Sequence, residues 1–227
     1  MVRPITVFGI DVEVIRKTGA RTVKLKIDRK TGRPQVIIPF LYPVFMAQKF
    51  VESHFVWLQA QLKLTPAKTC FSDGMTLCIL GRTLCIKHEE NRRGGAFIEG
   101  DCLIVTGNAE HLHRRVKDFI KKQVADYAVV KAKDTARLLN KSVTRVTIKD
   151  TVSRWGSCTS EGHLAFCWRL GLAPLYVLDY VIIHEAAHLA EMNHSRAFWK
   201  KVAELNADTR RAKKWLNDHA AELHSFL

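Results

Sequence analysis

Hydrophobic and polar residues alternate along much of the first hundred positions. Val23, Leu25 and Ile27 alternate with Lys24 and Lys26, turn residues fill 28–34, and 35–39 returns as a second apolar run, the pattern of a hairpin. A second set predicts strands over 75–80, 83–88 and 96–105, with a turn at Gly81-Arg82 and a tip at 91–95. Between the sets, Phe45, Phe50, Val51, Phe55, Leu58 and Leu62 recur at helical spacing and predict one helix over 43–64. Segments 5–14 and 77–86 share a form: apolar strand, aromatic or leucine plus glycine, apolar strand. A duplication and two ordinary hairpins account for it equally well.

The period changes after residue 107. Leu112, Val116, Phe119, Ile120, Val124, Tyr127 and Leu138 predict a long amphipathic helix within 108–140. Thr144, Val146 and Ile148 alternate again, so 143–172 reads as β structure with a turn at Gly156, and Pro174 opens the next helix at its first position. The expected fold is α+β. A β-rich N-terminal region with one helix covers 1–107, and a helical core with a short β-sheet covers 108–227.

Composition narrows the classes. In 227 residues, 47% hydrophobic and 26% charged content excludes disordered and collagen-like chains. The 36 Lys+Arg against 22 Asp+Glu leave +14, a field that attracts polyanions. Ten Lys/Arg and three Asp lie within 114–145, a run whose ordinary explanation is a solvated helix face. Asp11, Glu13, Arg16 and Lys17 interrupt any leader-like apolar run, and the longest apolar candidate, 172–190, contains Asp179, His184, Glu185 and His188. The six cysteines form no C-x-x-C pair. A cytoplasmic chain with reduced thiols and no membrane partner is expected.

The helix opened by Pro174 contains His184-Glu185-Ala186-Ala187-His188 on an apolar background of Val177, Val181, Ile182, Ile183 and Leu189. Four residues advance a helix by about 400°, so the two imidazoles stand one turn apart, ~6 Å along the axis, and can chelate one ion beside Glu185. Buried without partners these groups would cost about 1–3 kcal/mol each, which a metal removes. The bland alternative is a set of satisfied polar groups packed on a neighbour. A metal also needs a third protein ligand. His194 lies just past Asn193, a residue that tolerates the left-handed turn ending a helix, so the chain can bring that imidazole back. Glu191, three residues after His188, is either a competing ligand or a second-layer acceptor orienting an imidazole. His194 is favoured because Glu191 must share the turn that His188 occupies.

The segments Arg154-Trp155-Gly156-Ser157-Cys158, 164–174, 179–185, Asn193-His194-Ser195 and Phe198-Trp199 together resemble the YgjP-like metal-dependent hydrolases, relatives of SprT-type and other minimal zincin metallopeptidases. The resemblance is close over about 140–220 and looser over the N-terminal strands. It departs at Cys167, where members often carry Asn, and at Ala186-Ala187, where a Leu-Cys pair is frequent. It implies a minimal zincin-like helical core, one zinc per chain at His184, His188 and His194, and Glu185 as catalytic residue.

Zinc brings the pKa of a bound water toward ~7, and a carboxylate next to a ligand is placed to accept its proton. Amide carbonyls and phosphoryl groups both suit that apparatus. A zinc-dependent hydrolase of metallopeptidase type, acting on peptide or protein, is therefore expected. One alternative is a metal-dependent nucleoside triphosphate (pyro)phosphohydrolase; another is a DNA-associated protease, or a protein binding nucleic acid non-specifically with a structural metal site. Arg154 either neutralises an oxyanion or phosphate or pairs with a carboxylate. Trp155, Trp168 and Trp199 are expected in the core. A lone Cys158 after Gly-Ser does not specify a thiol nucleophile.

Overall fold

The structure, a computed structural model, describes residues 4–28, 31–64, 66–205 and 208–227. Backbone packing divides the chain into two compact units: one ends at Thr69 and includes Leu227, and the other is Cys70–Phe226.

In the first unit, β1 (Ile5–Val7), β2 (Ile10–Lys17), β3 (Lys24–Ile27) and β4 (Pro34–Pro39) form one mixed sheet in the order β1-β2-β4-β3. The expected hairpin is present, pairing Lys24 with Ile37 and Leu25 with Val36. Alternate residues Val12, Val14, Val36 and Ile38 are buried together with Ala47 and Val51 of α1 (Val44–Ser53) and Leu58 of α2 (Phe55–Leu64). The single helix expected over 43–64 is thus two. Ser53 Oγ donates to the Phe50 carbonyl at 2.8 Å, and His54 Nδ1 lies 2.8 Å from the same oxygen. These side chains compete for a helix acceptor, and His54 leaves helical geometry at φ −109°, ψ 17°.

The same strand order opens the second unit: β5 (Thr76–Ile79), β6 (Arg82–Glu89), β7 (Ala96–Glu99) and β8 (Cys102–Thr106) lie as β5-β6-β8-β7. In both sheets the two central strands are parallel and the outer pairs antiparallel. Both opening hairpins turn on paired positive φ values, 46° and 82° at Phe8-Gly9 and 49° and 80° at Leu80-Gly81, the combination a type I′ turn requires. The likeness between 5–14 and 77–86 therefore extends to whole sheets.

α3 (Leu112–Leu138) places Leu112, Val116, Ile120, Val124, Ala128 and Ala132, one residue in four, in a core shared with Leu77, Leu84, Ile86 and Leu103 of this sheet. That shared core is why the compact units divide at Thr69, although the hydrophobic period changes near 107. Next, β9 (Arg145–Lys149), β10 (Gly156–Cys158) and β11 (His163–Cys167) form a sheet in the order β10-β11-β9, with β10 at its edge. A 3-10 turn, Trp168–Leu172, leads into α4 (Leu175–Ala187), for which Pro174 serves as cap. Val177, Leu178, Val181, Ile182, Ala186 and Ala187 are all buried, so α4 is a central helix with no solvated stripe. Tyr127 of α3 donates to Asp179 of α4 at 2.6 Å, and Lys131 adds an ion pair at 3.6 Å. α5 (Arg196–Leu205) and α6 (Thr209–Leu223) pack on α4. Among the described residues no helix is long and apolar enough to cross a membrane.

Candidate metal centre

The last turn of α4 carries His184 and Glu185, and His188 caps that helix. Helical winding stops earlier than Asn193. The amides of His188, Leu189 and Ala190 each donate to the carbonyl three residues back, tightening the chain before α5 begins at Arg196. This tight connection returns His194 over the helix end. His194 Nε2 lies 3.1 Å from His184 Nε2, and one ligand atom from each of His184, His188 and His194 falls within 4.8 Å of the others. Two imidazole nitrogens sharing a tetrahedral metal ion at ~2.0–2.1 Å stand roughly 3.3–3.4 Å apart, close to the separation of His184 and His194.

The rings are held rather than merely near. Phe198 of α5, fully buried, meets all three: its centroid is 5.0 Å from that of His184, 4.4 Å from His188 in a stacked arrangement, and 4.8 Å from His194. Trp199 stacks on His194 at 5.5 Å and 22°. His188 Nδ1 lies 3.0 Å from the Glu191 carbonyl oxygen, a bond that places the ring proton on Nδ1 and leaves the Nε2 lone pair for a cation. Burial lowers the His184 pKa to about 4, helped by His188, His194 and Lys213, and burial likewise lowers that of His188. Neutral imidazoles with free lone pairs are what a metal requires.

Glu185 is 7% exposed, and burial raises its pKa to about 7, with Arg154 opposing the rise through space. Gly156 on edge strand β10 lies directly against the Glu185 side chain. Glu185 and His184 line a cleft of about 350 Å³ with Arg154, Trp155, Tyr180, Val181, Lys213, Leu216 and Asn217. Burial, then Glu185, raises the Tyr180 hydroxyl to about 12, so it remains a donor. Cys158 rises to about 11 for the same two reasons, which removes thiolate chemistry at neutral pH.

The structure thus brings together His184, Glu185, His188 and His194, with Arg154 at the cleft. The Glu191 carboxylate turns away to Lys201 at 3.5 Å, and only its main-chain carbonyl meets His188. Trp168 is fully buried, whereas Trp155 lines the cleft and Trp199 backs His194. The departure at Cys167 is buried and its thiol donates to the Thr151 carbonyl at 3.3 Å. Phe198 and Gly156 both lie in the segments that carry the resemblance, but sequence reading assigns Phe198 no role, though its position four residues after His194 on an amphipathic helix was the available signal, and Gly156 only a turn.

Comparison with known proteins agrees with this geometry: the family model described as the YgjP-like metallopeptidase domain matches residues 21–219. No curated protein and no solved structure matches the chain.

Proposed function

Because the chain belongs to the YgjP-like metallopeptidase family, we propose that it is a zinc-dependent peptidase with His184, His188 and His194 as ligands and Glu185 as general base. The observation that carries this reading is the convergence of three imidazole nitrogens within 4.8 Å, one of them on His184, which lines a cleft together with Glu185. When bound, zinc supplies Lewis acidity to water and to the substrate carbonyl. The protein's own groups do the rest. Glu185, buried beside the ligands, accepts a proton from water and returns it to the leaving amine. The Nδ1 bond of His188 to Glu191 fixes one ligand tautomer, and Phe198 holds the three rings in place.

The basic run on α3 gives no support to a nucleic-acid role. Arg114 and Lys121 pair with Asp118, Lys117 with Asp150, Lys131 with Asp179 and Arg137 with Asp134, so five of the ten cations in 114–145 face a carboxylate.

Purified protein should carry one zinc per chain and cleave unfolded polypeptide. Glu185→Gln should keep the metal and lose about 10²–10⁴-fold in rate. Protein without zinc in any preparation, or Glu185-dependent phosphate release from nucleoside triphosphates without peptide cleavage, would overturn the assignment.

A further inference from the structure

Among the cations of this basic protein, Arg154 and Lys213 line the cleft with Glu185 and make no ion pair among the described residues. Lys213 is nonetheless held. Its Nζ lies 3.7 Å from the centroid of the Trp199 ring, and that ring stacks on His194. The ammonium is therefore positioned one aromatic layer behind an imidazole of the candidate metal centre. Asn217 stands one helical turn beyond Lys213 on α6, and the remaining lining of Trp155, Val181 and Leu216 is largely apolar. The sole carboxylate among the cleft's described lining is Glu185, which the hydrolytic reading already employs.

A cleft of about 350 Å³ lined by two cations and one carboxylate suits a single anionic group on an extended chain, being at the small end of ligand sites. It does not offer the row of spaced cations that tracks a nucleic-acid backbone. Resting on the peptidase reading, we propose that Lys213 and Arg154 are specificity-determining residues that select peptides carrying an aspartate or glutamate beside the scissile bond. The acidic carboxylate is bound between the guanidinium and the ammonium while the scissile amide faces Glu185.

Matched peptides carrying Glu, Gln or Lys next to the cleavable bond test this, with nucleoside triphosphates as a separate arm. The zinc-loaded wild type should cleave the Glu peptide with kcat/KM about tenfold above its Gln counterpart, a ratio expected of two partly exposed ion pairs and shrinking as salt rises. Lys213→Ala and Arg154→Ala should each lower that ratio, and Lys213→Glu should reverse the ranking toward the Lys peptide. Equal cleavage of all three peptides by wild type, or a ranking indifferent to Lys213→Glu in protein of unchanged zinc content and melting temperature, would overturn the proposal. So would a cleft that turns over triphosphates and does not discriminate among the peptides. Peptide binding to zinc-loaded Glu185→Gln, followed by fluorescence anisotropy, separates this failure from that of the peptidase reading. Charge-selective binding without cleavage by wild type would leave the selectivity standing and remove the hydrolysis; cleavage without charge selectivity would do the opposite.

Discussion

A methyl group placed on Gly156 would stand 2.6 Å from Cγ of Glu185 and 2.7 Å from its Oε1. No real side chain tolerates such an approach, so β10 admits Glu185 to its position only because residue 156 has no Cβ. Gly156→Ala should push the carboxylate away from the proposed reaction centre while leaving the three imidazoles untouched. Zinc content should stay at one per chain, and kcat should fall about 100-fold, the scale of an ångström-sized misplacement. Metal analysis beside peptide kinetics checks both halves; a fully active alanine variant would mean that Glu185 has room to act from elsewhere.

Burial of Glu185 also predicts a pH effect on stability. Its folded pKa, about 7, lies above the ordinary carboxylate value, so the fold favours the protonated form. That contribution is complete below about 4.5 and is lost as pH rises through about 7. In metal-free protein, the stability advantage of Glu185→Gln over wild type should therefore grow across this window by up to ~3 kcal/mol, then level off. Urea unfolding at pH 4.5, 6 and 8 with a chelator present measures it. An advantage that does not change with pH would show a carboxylate already ionised throughout.

Those two residues mark how far the sequence reaches. The α+β character and the His184-Glu185-x-x-His188 pattern follow from periodicity and spacing, because each depends on neighbours in the chain. His194 does return, but through tight turns after Ala187 and not through the left-handed Asn193 that the sequence suggests. The close approach of Gly156 to Glu185 depends on which strand lies beside α4, a tertiary fact that no local pattern encodes. Phe198 likewise reads as one apolar residue of α5 until three imidazoles are seen around it. The break at His54 escaped because apolar spacing runs through it unchanged, while the competition for the Phe50 carbonyl is a side-chain matter. The unit boundary at Thr69 is set by the core that β5–β8 share with α3, and a change of period between strands and helix does not report on shared cores.

The link between Asp150 and Arg169 should contribute measurably to the stability of the second unit. Arg169 is buried, donates to Asp150, and reaches the Phe226 carbonyl from Nη2 at 2.7 Å and from Nε at 3.1 Å. Burial would raise the Asp150 carboxyl, but hydrogen bonds from Arg169 and Lys117 outweigh it and hold the group well below the carboxylate range. Removing one partner of a buried pair costs about 3–5 kcal/mol, and the Asp150 side chain is 44% exposed, so about 2–3 kcal/mol is expected for Asp150→Ala. Thermal unfolding should show a fall of roughly 5–10 °C. A variant melting with wild type would mean that solvent replaces the carboxylate without loss.

The third metal ligand can be decided by comparing His194 with Glu191. His194 Nε2 converges on His184 Nε2, whereas the Glu191 carboxylate pairs with Lys201, 3.5 Å away, and is absent from the converging set. What Glu191 gives the centre is its main-chain carbonyl, which accepts from His188 Nδ1 at 3.0 Å and survives truncation of the side chain. Glu191→Ala should therefore bind zinc nearly as wild type, losing only an exposed ion pair of at most ~1 kcal/mol. His194→Ala should leave two imidazoles on one helix end and lose both tight zinc binding and hydrolysis, since a catalytic zinc site requires three protein ligands. Titrating zinc into the two metal-free variants gives the ranking directly. Weak binding by Glu191→Ala together with retained binding by His194→Ala would transfer the ligand role to the glutamate and require the connection after His188 to rearrange when metal enters.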